Sequence, residues 1–190
     1  TATKPLFMPN IQLADPDNKG AKAISAVTSK RKKTEDDRKE ISRLEWLGSL
    51  YVHDGKIVIP TANLLKSFTE SGKITKQGKS VTRALSPVDT FVPLIYSGPQ
   101  EFEELAKRDD FRDVTLVGLR GQRVVRTRPV FRVWGLITEW EFLPEVLDFD
   151  DLVKIVTQAG LVEGLGDNRV NGWGRYTVEI TELGKSRIAA

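Results

Sequence analysis

The hydrophobic and polar positions change period several times along the chain, and each change marks a predicted element. Leu6-Phe7-Met8 through Ile11-Gln12-Leu13 reads as a first strand interrupted by Pro9. Residues 14–33 lose the period, with Asp15-Pro16-Asp17 and Gly20 as breakers, and predict a flexible basic loop. Thr34 followed by Asp37 is an N-cap signal, and the helix it opens has Ile41, Leu44, Trp46 and Leu47 on or near one face. Glu35, Asp36 and Asp37 suit the positive end of that helix. Ser49-Leu50-Tyr51-Val52 and Lys56-Ile57-Val58-Ile59 flank His53-Asp54-Gly55, a hairpin signal. Pro60 and Thr61 open a helix through about residue 70, closed by Gly72, and residues 73–88 read as basic and turn-rich. The segment 90–96 predicts an edge strand, because Pro93 lies inside it.

A short acidic helix is expected near 100–107, then strands at 113–119, 121–128 and 130–142. In the last of these, alternation puts Trp134 and Trp140 on one face with Arg132, and Phe131, Val133 and Ile137 on the other. The tryptophan face is either open, offering stacking platforms beside an arginine, or part of the core. A helix at 148–160, a glycine-rich loop and a closing strand at 175–180 complete the chain. This order predicts a single α+β domain over 1–190. Its core is a ferredoxin-like or RNA-recognition-like antiparallel sheet with helices on one face, and about 48–128 is partly a central insertion. One sheet face is then free for a single strand of nucleic acid.

Charge sharpens that expectation. The net charge is only +3, but residues 19–33, 73–83 and 120–132 contain no acid and carry 15 of the 29 lysines and arginines. They supply Lys30, Arg31, Lys32 and Lys33; Lys73, Lys76, Lys79 and Arg83; and Arg120, Arg123, Arg126, Arg128 and Arg132. A basic face on an otherwise acidic body is the footprint of a polyanion partner; the plainer reading is three solvated loops. The chain has no cysteine, which excludes disulfides, thiolate nucleophiles and cysteine metal sites. No apolar run is long enough to span a bilayer and no signal-peptide core opens the chain, so a cytoplasmic protein without a membrane partner is expected.

Catalytic chemistry has few candidates. His53, the single histidine, sits in a hairpin turn beside Asp54, where a histidine is usually just solvated. Asp15 and Asp17 follow the first strand and either hold a divalent ion or form an acidic turn. No metal site or cofactor is implied. The densest motif is Gly164-Leu165-Gly166, five residues, then Gly172-Trp173-Gly174, with Arg169 at the centre of the five. Closely spaced glycines let a backbone approach a ligand and aim successive N–H groups at an anion, with Arg169 as the cation; the alternative is a helix cap followed by a glycine turn.

That spacing resembles the carboxy-terminal glycine-rich loop of the RAMP superfamily, whose members build the RNA-binding parts of CRISPR effector complexes. Ile59-Pro60-Thr61-Ala62-Asn63-Leu64-Leu65-Lys66 is similar to the superfamily's hairpin-to-helix segment, without the usual glycine after the proline. The segments 32–36, 126–132 and 164–167 also resemble a widespread group of bacteriophage proteins with no assigned activity. The resemblance implies a modified ferredoxin-like fold, binding of single-stranded RNA or DNA in a bacterial host cell, and homo-oligomeric, head-to-tail assembly along the strand. It places Gly164, Gly166, Arg169, Gly172, Trp173 and Gly174 on backbone phosphates. A non-catalytic binder is the leading expectation. The alternatives are a metal-assisted ribonuclease using Asp15 or Asp17, and a phage protein that binds host defence proteins by mimicry.

Overall fold

Why a chain with so few long apolar runs builds one core is visible in a computed structural model, which describes residues 1–119 and 122–184. Leu6 and Met8, Trp46, and Phe131, drawn from three distant segments, are almost completely buried in one hydrophobic core. Helix α2 (Glu35–Gly48) starts at Thr34, whose hydroxyl accepts the Asp37 N–H while the Asp37 carboxylate accepts the Thr34 N–H. It delivers Trp46 to the core, where the indole N–H donates to the Phe111 carbonyl at 2.8 Å.

The protein is α+β, with small antiparallel sheets and six α-helices among the described residues. Strand β1 (Leu6–Phe7) pairs with β7 (Gln122–Phe131), which forms a hairpin with β6 (Arg112–Leu119). Strands β2 (Val52–His53), β3 (Lys56–Pro60) and β5 (Phe91–Pro93) form a second sheet, and β4 (Leu85–Pro87) pairs with β8 (Trp140–Phe142). Helix α3 (Thr61–Ile74) follows β3 directly, and α6 (Phe149–Gln158) packs against it. No helix among the described residues is long and apolar enough to cross a membrane.

Several expectations change. Residues 19–28 are not coil: α1 (Lys19–Thr28) is capped by the Asn18 carboxamide, which accepts the Gly20 and Ala21 N–H groups, and the helix rests on α2. Residues 73–88 contain α4 (Gly78–Ala84) and β4, because Val81, Ala84 and Leu85 are buried. The predicted strand at 130–142 is broken. The chain leaves β7 after Phe131, Gly135 pairs with Ile95, and the Trp134 indole donates to the Lys4 carbonyl. Trp134 is therefore core, and Trp140, in a different strand, packs edge-on against Phe68; they do not form a stacking face. The segment expected as a closing strand makes a single bridge, Tyr176 with Ala2. A short helix α5 (Phe102–Lys107) stands near the predicted place.

Candidate nucleic-acid interface

Helix α6 loosens into one wide π turn (Ala159–Glu163) and delivers the chain to the glycine-rich loop. The loop is folded hard against β1. Gly166 has φ +77°, and a Cβ there would lie 2.2 Å from the Phe7 carbonyl oxygen; at Gly174, φ +68°, it would lie 1.8 Å from that of Leu165. Any other residue at these two positions collides with backbone. The N–H groups of Leu165, Asp167 and Gly174 donate to the carbonyls of Gly174, Phe7 and Pro5, and that of Asn168 to the Asp167 carboxylate. These four N–H groups are therefore satisfied within the protein and are not free for an anion. The loop's hydrogen bonds hold the protein together, Trp173 stands edge-on to Phe7 at 5.3 Å, and Gly172 faces open space.

What the loop presents instead is a side chain beside a pocket. A pocket of about 270 Å³ is lined by Pro9, Tyr51, Asn63, Lys66, residues 164–166 and Arg169. Lys66 is exposed on α3 and Arg169 half-exposed on the loop. The relation of α3 to the loop is fixed by the buried Ser67, whose hydroxyl donates to the Gly164 carbonyl at 3.0 Å and lies 3.3 Å from the Tyr176 hydroxyl. Burial pushes the Tyr176 phenol up to about 12, so it stays neutral and hydrogen-bonded across the physiological range. The pocket thus joins two cations and the amide of Asn63 on a floor hydrogen-bonded to α3, a geometry suited to an anionic oxygen.

The basic segments fare differently. They are free of acids in sequence but not in space. Arg126 reaches the buried Glu45 at 2.5 Å, and Arg128 is paired with Asp167 and with Asp113 while its guanidinium lies over the Phe7 ring. Arg132 donates to the Asp110 carbonyl, and Lys30 is paired with Asp37 at 2.6 Å. Arg31 and Lys32 are exposed, and Lys33 donates to the Lys30 carbonyl. Lys73, Lys76 and Lys79 come together at the α3–α4 corner, while Arg83 and Arg123 stand exposed elsewhere. Arg120 lies outside the described residues.

The catalytic candidates are not assembled. Asp15 accepts the Asp17 N–H in a local turn, and Asp17 pairs with Lys22 at 2.8 Å on an exposed surface. His53 stacks on Phe91 at 4.6 Å, far along the chain from either aspartate. Among the described residues no group of three or more histidines, cysteines or carboxylates could hold a metal ion. Tyr51, Asn63 and Lys66 were not expected as site residues. The signal for Asn63 and Lys66 is the hairpin-to-helix segment 59–66, which shows a likeness but not where it points, and Tyr51 has no such signal. No family model matches the chain, and no curated protein or solved structure is detectably similar to it.

Proposed function

We propose that this protein binds single-stranded nucleic acid without cutting it, taking the sugar-phosphate backbone into the pocket between Lys66 and Arg169. The observation that carries this reading is a convergence. The segment 59–66 and the loop 164–174 lie about 100 residues apart, and they line one open pocket with a cation from each. Phosphate contacts of this kind position a strand without reading its bases. A RAMP-like, modified ferredoxin-like core is part of the proposal. It is supported by a strand order in which residues 2 and 176 touch, β1 lies against β7, and β7 lies against β6, all antiparallel. On this reading the elements between α2 and β6 are the insertion.

The test is fluorescence anisotropy with labelled single-stranded RNA and DNA across a salt series. Affinity should fall steeply between about 50 and about 200 mM salt, with a log–log slope of roughly 0.7 per phosphate contact. Arg169→Ala should weaken binding and reduce that slope by about one contact's worth while the melting temperature stays put. A flat salt response, or an unchanged slope in the variant, removes the pocket from the function. Cleavage of the labelled strand with magnesium, lost in Asp15→Ala or Asp17→Ala, would replace this reading with the ribonuclease.

A further inference from the structure

The lysines at the α3–α4 corner line an open depression of about 470 Å³ with Thr69, Gly78 and Thr82. Three features make it more than a cluster of surface charge. The first is its floor. Gly78 lets α4 approach α3 so closely that an added Cβ would lie 3.0 Å from the Thr69 carbonyl oxygen. The second is its hydroxyls: those of Thr69 and Thr82 lie 3.1 Å apart at the helix–helix crossing. The third is its direction. Lys66 and Lys73 are two helical turns apart and share a face of α3, so this depression and the pocket at Arg169 lie along one stripe of the same helix.

The charges on that stripe are graded. Glu70 sits between the two depressions and takes Lys73 through both carboxylate oxygens, at 2.7 and 2.9 Å. Lys73, together with Lys66 and Arg169, holds its carboxyl below the ordinary value. Lys73 is thus oriented but partly neutralised, while Lys76 and Lys79 make no ion pair among the described residues. Lys76 adopts φ +61° where α3 ends, which turns the chain towards α4 and brings it beside Lys79.

We infer that the α3–α4 corner is a second phosphate subsite, and that a single strand seated at Lys66 and Arg169 runs along α3 to reach Lys76 and Lys79. This rests on the proposed function, and it adds the direction of the strand and the length needed to use the site fully. From Asn63 to Lys73 the helix rises about 15 Å. That distance corresponds to roughly four phosphates at the spacing of one strand of a duplex, and to fewer in a more extended strand. A dinucleotide therefore occupies one subsite; a strand of twelve covers both.

The experiment uses the full chain, a 12-nucleotide strand and an unlabelled dinucleotide, with Lys76→Gln/Lys79→Gln compared with Arg169→Ala. The corner variant should keep the melting temperature, leave the dinucleotide affinity read by NMR titration at the pocket of Lys66 and Arg169 unchanged, and lower the 12-mer salt slope by about 1.4. A 12-mer slope unchanged in the corner variant but reduced by Arg169→Ala overturns the second subsite and leaves the first standing. Slopes unchanged in both variants overturn both. Equal losses for dinucleotide and 12-mer show the lysines acting only as a diffuse field, which also overturns the inference.

Discussion

Arg126 and Arg128 of β7 and Lys76 and Lys79 of the α3–α4 corner come from basic runs without a single acid, and the fold treats these two pairs in opposite ways. Arg126 and Arg128 are turned towards Glu45, Asp113 and Asp167, contributed by α2, β6 and the glycine-rich loop. Lys76 and Lys79 face an open depression. The difference follows from the two side chains and their settings. A guanidinium offers a planar fork of donors that can bridge two carboxylates at once, whereas an exposed ammonium on a flexible stem is left to solvent or a ligand. An acid-free run therefore measures charge written along the chain and not charge available to a partner. Availability depends on which acids the fold brings across.

The largest effect that could break this comparison is expected at Arg128. Its side chain is only 14 % exposed and is the bridge from the β6–β7 hairpin to the glycine-rich loop. Arg128→Gln should destabilise the protein by about 2 kcal/mol, below the cost of a fully buried pair because Asp167 is partly solvated. In a chain of this size that is a drop of roughly 4–8 °C in thermal melting. At temperatures where the variant remains folded, its affinity for single strands should match the parent's. Retained melting with lost affinity would show that Arg128 serves the strand and would erase the distinction between the two regions.

Legibility in the sequence follows the same division between near and far. The Thr34–Asp37 cap, the turn at Asp54-Gly55 and the start of α3 after Pro60 were readable because donor and acceptor lie within a few residues. Helix α1 was missed: its cap, Asn18, stood behind an Asp-Pro-Asp turn, and it gains its support from α2 rather than from a buried face of its own. The strand at 130–142 was over-extended because its end is set by partners far along the chain, Ile95 for Gly135 and Lys4 for Trp134. The glycine-rich loop stands out in the sequence, but the contacts that require its glycines do not. Its glycines are explained by contacts to Phe7 and Leu165 backbone, and contact with β1 has no signature within the loop. The pocket was half legible twice, once in each segment, and the halves are joined by contacts the sequence does not show, the buried Ser67 hydroxyl on the Gly164 carbonyl among them.

A smaller effect, of the opposite sign, tests the corner through the acid that pairs with Lys73. Glu70 is the negative charge a strand must pass between Arg169 and Lys79. Glu70→Gln removes that repulsion and frees Lys73, so 12-mer affinity at low salt should rise by about two- to fivefold, the scale of a surface charge pair. The gain should vanish as salt screens it. A loss of affinity would mean that the Glu70–Lys73 pair organises the site more than it opposes the ligand, and that the corner is built like β7 after all.

The smallest effect concerns residues 30–33, which stand between the two extremes. Lys30 is held by Asp37, while Arg31 and Lys32 next to it are exposed. The hydrogen bond from Lys30 and those from the Thr34 backbone and hydroxyl lower the Asp37 carboxyl from 3.8 to about 2. A carboxyl depressed in the folded state stabilises it above its unfolded value, and that contribution is lost as pH falls through its folded value. Between about pH 4 and pH 2 the first turn of α2 should therefore loosen and Lys30 should be released, readable as a carboxyl titration of Asp37 by NMR together with exposure of the Thr34 amide. Lys30→Gln should move that titration upward without abolishing the depression, because the Thr34 bonds remain. A midpoint that does not move would show that the cap alone sets the carboxyl, leaving Lys30 as available to an anion as Arg31 and Lys32.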